Sequence, residues 1–177
     1  MCAIDWSALG TWAAVVIALA IAVADKVAAY FRRIRASKIL AILCQDELAV
    51  TRVRLDAIKT EISPANAELA LWYAANLHVN AGLRVDLKNL GDKLKMPEVE
   101  SAIERLPDLD SEFALSLTSS LANVRSVVFG TNDPMKTPPG ENFPDSELFC
   151  ANLREVLTNA ISSVDESLSI GHRLMDK

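Results

Sequence analysis

Eighteen consecutive residues without a charge, Ser7 to Ala24 (SALGTWAAVVIALAIAVA), constrain this chain more than anything after them. As a helix they span about 27 Å, close to the ~30 Å hydrocarbon core of a bilayer. From Ala13 to Ala24 every residue is Ala, Val, Ile or Leu, so no polar face remains to keep wet, as an interfacial helix would need. Trp6 and Trp12 stand at one end and Tyr30 and Phe31 at the other, where aromatic rings favour the headgroup level. The segment predicts a single transmembrane helix over residues 7–31, with a short extracytoplasmic N-terminus at 1–6. A helix buried in a soluble core and a cleaved signal peptide are the competing readings. Ala22-Val23-Ala24 resembles a cleavage site, but a signal peptide wants basic residues before its apolar run, and here they follow it.

Those basic residues are Lys26, Arg32, Arg33, Arg35 and Lys38, with the juxtamembrane collar at 32–38. Positive charge is retained in the cytoplasm, so the C-terminal part is expected there and the N-terminus outside. The same cluster suits anionic lipid headgroups, or serves only to set topology. Asp25 and Lys26 are expected to snorkel at the boundary rather than mark an ion path. Gly10, Ala14, Ala18 and Ala22 recur every fourth residue, a spacing that lets two helices approach closely in lipid and points to a homo-oligomer or a membrane protein partner.

Charge bounds the partners further. Of 18 Lys and Arg, five lie in the segment Lys26–Lys38, and of 23 Asp and Glu only Asp5 and Asp25 precede Lys26. The remainder therefore sets 13 basic against 21 acidic residues, a net of −8, which repels a phosphate backbone and excludes nucleic acid as an expected partner. Cys2, Cys44 and Cys150 have neither disulfide nor zinc spacing. In the expected topology Cys44 and Cys150 are reduced, while Cys2 faces outward.

Residues 39–177 predict a helical cytoplasmic domain. A seam of alternating three- and four-residue steps (Val27, Tyr30, Ile34, Ser37, Ala41, Cys44, Leu48, Thr51, Leu55, Ile58, Ile62) carries the first helix out of the membrane. Ile39, Leu40, Ile42 and Leu43 widen it, which favours packing inside a bundle over an isolated coiled coil. Ser63 and Pro64 read as the cap and first residue of a second helix running to about Lys95, with Gly82 as a weak point. Its apolar faces are Leu69, Trp72, Tyr73, Leu77 and then Leu83, Leu87, Leu90, Leu94, with Asn76 and Asn80 beside them. A short helix follows over Pro97–Leu106. The next, capped by Asp108 or Asp110, runs to Phe129 with Gly130 past its end. Four prolines and two glycines in 130–145 predict a long irregular loop, and a last helix runs from Asp145 or Ser146 to Met175. The expected fold is all-α: one transmembrane helix continuing into a bundle of four to five helices.

Chemistry is sparse. No P-loop, G-x-G-x-x-G, H-E-x-x-H or G-x-S-x-G motif occurs. His78 has only Ala and Gly at its helical neighbour positions, and His172 has Asp176 at i+4, so both read as structural. Glu98, Glu100, Glu104, Asp108, Asp110 and Glu112 cluster without an accompanying histidine and read as a solvated acidic face. No catalytic, cofactor or metal residue is assigned, and no small-molecule substrate. The expectation is a non-catalytic, membrane-anchored interaction or regulatory protein of the cell membrane, on composition a bacterial inner membrane. The alternatives are a membrane-perturbing effector that oligomerises through its span, or an enzyme with an unrecognised site.

Overall fold

The computed structural model describes residues 6–63, 66–105, 107, 109–136 and 145–176, with side chains from residue 11 onward. The chain is all-α, and no strand occurs among the described residues. Helix α1 (Trp6–Ile62) runs unbroken for 57 residues, about 85 Å. No proline or glycine interrupts it after Gly10, so nothing breaks the i→i−4 ladder where the apolar segment meets the domain. The segment from Thr11 to Tyr30 touches little else, and every residue there but Ala29 is exposed. From Ser37 onward α1 is a bundle helix. Ser37, Ala41, Cys44, Leu48, Thr51, Leu55, Ile58 and Ile62 are all buried, as the three–four spacing predicts, whereas Val27 and Tyr30, expected in the same seam, are exposed and Ile34 is half-buried, because the bundle does not reach them.

Beyond α1 the chain forms α2 (Ala67–Val79), α3 (Ala81–Asp92), α4 (Pro97–Ile103), α5 (Ser111–Asn132), a 3-10 turn (Asp133–Lys136) and α6 (Ser146–Met175). Helix α6 packs along both α1 and α5, and these three form the body of the bundle. α3 lies on α5, α2 on α6, and α4 bridges α1 and α5. One apolar core joins them, with Leu48, Leu55, Leu87, Val99, Phe113, Leu117 and Leu157 nearly inaccessible to solvent. Small residues let the long helices approach. The backbone of Gly171 on α6 lies against Ala41 and Phe113. Ser120 Oγ–H donates to the Ser163 carbonyl at 2.8 Å, and its oxygen pairs with Ser167 Oγ at 2.8 Å, so the buried hydroxyls are satisfied.

Several boundaries differ from the sequence reading. The segment expected as one helix to Lys95 is two. Asn80 is extended (φ −103°, ψ 105°), its N–H closes α2 on the Asn76 carbonyl and its side chain accepts from Gly82 N at 2.8 Å to open α3. The break therefore falls at a capping Asn, not at Gly82, and it turns α3 onto α5. The cap of α2 is Asn66, which accepts from Glu68 N, rather than Ser63; Pro64 lies outside the described residues. Helix α5 does not stop at Gly130. Thr131 is buried against Gly91, and Thr131 and Asn132 side chains both donate to the Val128 carbonyl, so packing carries the helix through the glycine. The expected loop 130–145 is accordingly helical over its first seven residues, and its 137–144 portion lies outside the described residues. α4 ends at Ile103; Leu106, expected as its last residue, and Asp108 lie outside the described residues. Asp110 caps α5 as expected, accepting from Glu112 N and Phe113 N. Ile39, Ile42 and Leu43, expected in the core with Leu40, are exposed, as are Leu69 and Trp72.

Leu55→Ala is expected to destabilise the bundle by about 2–5 kcal/mol, while Val53→Ala, two residues away on the outer face, changes it by less than about 0.5 kcal/mol. Denaturant unfolding of the detergent-solubilised chain, followed by helical circular dichroism, checks both. Gly91→Ala places a Cβ inside the Thr131 side chain. A loss of about 1–3 kcal/mol is expected there, and Gly91→Ala combined with Thr131→Ala, which removes the Oγ1 that the new Cβ meets, is expected to recover part of it.

Candidate functional site

The apolar half of α1 presents its side chains outward all round, and no part of its most apolar window is buried by the rest of the chain. It is the one helix among the described residues long and apolar enough to cross a membrane. Ala14, Ala18 and Ala22 are exposed on it; Gly10, the fourth small residue of the row, lies outside the described side chains, as does Trp6. Trp12 is 71 % exposed. At the other end Tyr30 and Phe31 are exposed and meet edge to face, with ring centroids 5.8 Å apart. From Trp12 to Phe31 the helix rises about 28 Å, the thickness of a hydrocarbon core.

The collar follows at once. Lys26, Arg32, Arg33 and Arg35 are exposed and Lys38 is half-buried. Ion pairs form elsewhere: Arg52 with Asp56 and Asp165, Lys88 with Asp92, Arg125 with Glu100, Lys136 with Asp133, Arg173 with Glu112. Among the described residues none joins the collar. Where the turn after α4 returns to α1, Ala29, Arg32, Arg33, Ala36 and Pro107 line an open cleft of about 490 Å3. Ser37 Oγ, just below it, accepts from Asp110 N at 2.7 Å and fixes the start of α5 to α1 at this level.

A second surface was not legible as such in the sequence. Ile39, Leu43, Val50 and Val53 are 46–68 % exposed and recur at heptad-like steps. They stand about 145° round α1 from the buried seam, facing away from the bundle. The signal was present, as a second three–four register offset from the first, but the two apolar sets overlap near Leu40 and read as one wide face. Helix α2 adds to the exposed apolar area. It is apolar all round, yet only Tyr73, Ala74 and Leu77 are buried, leaving Leu69, Leu71, Trp72 and Val79 outside.

Two adjoining apolar depressions, about 610 and 580 Å3, flank Phe129 and Arg125 near the far end of α5. Neither brings a nucleophile beside a base. Among the described residues no group of three or more His, Cys, Asp or Glu could hold a metal ion. Within the acidic segment, Glu100 and Glu112 are bound to arginines of α5 and α6. Glu98, Glu104 and Glu112 are exposed and Asp110 is half-buried as a cap. His172 Nε2 lies 3.2 Å from Gln45 Nε2, tying α6 to α1. Cys44 and Cys150 are buried free thiols. Burial, aided by Glu47 and Glu98 near Cys44, pushes both up to about 11, so neither supplies a thiolate at neutral pH.

No known protein family, curated protein or solved structure matches this chain.

Both thiols ionise more readily in the unfolded chain, at about 9, than in the fold. The neutral forms favour the fold, so their stabilisation is complete below pH 9 and is lost as pH rises towards 11. Denaturant midpoints measured from pH 8 to 10.5 are expected to fall, by up to about 1.4 kcal/mol per pH unit for each thiol. Cys44→Ala/Cys150→Ala is expected to flatten that slope.

Proposed function

We propose that this chain is a single-pass, membrane-anchored interaction module without catalytic activity. Its N-terminus lies outside, its bundle lies in the cytoplasm, and its partner packs along the outer face of α1. One observation carries the reading: the exposed stripe Ile39, Leu43, Val50, Val53 on the side of α1 opposite its own bundle. With the span ending near Phe31, Val53 stands about 33 Å beyond the bilayer edge. Lipid does not reach it, and water covers two exposed apolar pairs, Ile39 with Leu43 and Val50 with Val53, separated by the exposed Asp46.

The partner that fits best is a second copy. Two chains inserted with the same orientation are parallel and in register before they touch. Ala14 and Ala18 lie within about 60° of the outer stripe, so one helix face offers small residues in lipid and larger apolar residues beyond it. The basic collar supports the orientation by the positive-inside rule. The paired carboxylates and neutral buried thiols supply no reactive group, in keeping with a role in contact rather than conversion.

Two measurements test this. Alkaline carbonate is expected to leave the full-length chain in the membrane pellet, and recovery in the supernatant rejects the anchor. Val53→Cys, in a Cys2→Ser background, is expected to give a disulfide-linked dimer in oxidised membranes, and Val53→Asp to weaken association at least tenfold in a dilution assay. Cysteine at exposed Ser119 serves as the control. Equal crosslinking at both positions, or none at Val53 with the chain monomeric in membranes, rejects the stripe as the interface.

A further inference from the structure

We propose that the cleft between the collar of α1 and the turn after α4 is a site for the phosphate headgroup of an anionic phospholipid. Arg32 and Arg33 are adjacent in sequence and so splay about 100° apart around the helix. Ala29 and Ala36, one turn before and after them, carry almost no side chain. The result is a small-residue floor flanked by two guanidinium groups, closed on one side by Pro107. Among the described residues no carboxylate lines it; Asp108, beside Pro107, lies outside them. Guanidinium groups match phosphate oxygens with two parallel N–H donors each, a geometry that lysines do not offer.

Charge points to the same ligand class. Among the described residues Arg32, Arg33 and Arg35 are in no ion pair, whereas Arg52, Arg125 and Arg173 have carboxylate partners elsewhere in the fold. Asp25, the acidic residue on this flank, is two turns closer to the apolar segment and joins none of them either. The 13 residues from Lys26 to Lys38 thus hold five cations and no acidic residue, in a chain whose net charge after the collar is −8. An anion supplied from outside completes them.

Position selects a lipid over a free phosphate. The arginines directly follow Tyr30 and Phe31, which mark the hydrocarbon edge about 28 Å from Trp12. They therefore lie at headgroup depth, with the exposed apolar flank of α1 above them for acyl chains. Because Pro107 belongs to the bundle, a headgroup seated there touches both the span and the domain. This inference rests on α1 being a membrane span, which carbonate extraction reads independently.

The test uses the full-length chain purified in detergent and titrated with phosphatidylglycerol or phosphatidylcholine, with retained lipid counted by native mass spectrometry. One phosphatidylglycerol per chain is expected, at least tenfold preferred over phosphatidylcholine. Arg32→Gln/Arg33→Gln is expected to weaken it about 30-fold, and Arg35→Gln/Lys38→Gln, which removes the same charge off the cleft, less than threefold. Pro107→Glu, at an exposed position outside the α-helices, puts a carboxylate beside the arginines and is expected to weaken retention about tenfold. Equal losses from the two double variants overturn the site in favour of diffuse attraction. Unchanged retention by Pro107→Glu, with helicity intact, overturns the role of the bundle in forming it. Displacement by an equal concentration of inorganic phosphate overturns the lipid assignment. Loss of phosphatidylglycerol retention in a chain that resists carbonate counts against the cleft and leaves the anchor standing.

Discussion

Everything in this fold hangs on the uninterrupted backbone ladder of α1. Its side chains also terminate other elements. Ser37 accepts the N–H of Asp110 ahead of α5. Glu47 takes the N–H groups of Glu98 and Val99 at 3.2 and 2.8 Å and so satisfies the open end of α4. Arg54 donates to the Lys93 carbonyl just past α3. The ends of three helices are thus fixed by side chains spaced along one helix. Their polar backbone groups would otherwise need water at the margin of an apolar core.

The packing that closes the bundle uses small residues as much as large ones. Ala160, Ser163, Ser167 and Gly171 are buried on α6, and Ser37, Ala41, Cys44 and Thr51 on α1. A seam of this kind permits close approach and relies on dispersion and on hydroxyls bonded within it, as in the contact of Ser120 with Ser163 and Ser167, while the buried Thr51 hydroxyl has no partner among the described residues. On α1 these small residues alternate with Leu48, Leu55, Ile58 and Ile62 in the seam, while Ile39, Leu43, Val50 and Val53 are on the other side. The helix therefore has two apolar faces of different texture, one filled by its own chain and one open.

The all-α class, the apolar rod, its continuation into the domain and the cap at Asp110 were legible because each rests on local physics: periodicity, composition and capping chemistry; α6 starts at Ser146 as expected, but Asp145 before it is left-handed (φ 50°) and its side chain caps nothing. What was not legible depended on partners distant in sequence. Gly130 reads as a stop signal, and only the packing of Thr131 on Gly91 shows why the helix goes on. Asn80 reads as a boundary polar residue until α3 is seen turning towards α5. Leu69 and Trp72 share the helical spacing of Tyr73 and Leu77, and nothing local says which of them α6 covers. The collar was legible as a charge cluster. The cleft beside Arg32 and Arg33 was not, because Pro107 comes from a turn more than 70 residues later.

The absence of any joint between rod and bundle has a mechanical consequence. A domain on a flexible tether forgets the attitude of its anchor, whereas here the anchor and the domain share one stiff axis. From Ala24 to Ile62 that axis runs about 57 Å, so a tilt of about 20°, ordinary for a helix in a bilayer, sweeps its tip sideways by roughly 20 Å. With α1 across a bilayer as proposed, any change in its tilt is thereby converted into displacement, with the apolar segment as the short arm of a lever and the bundle on the long one.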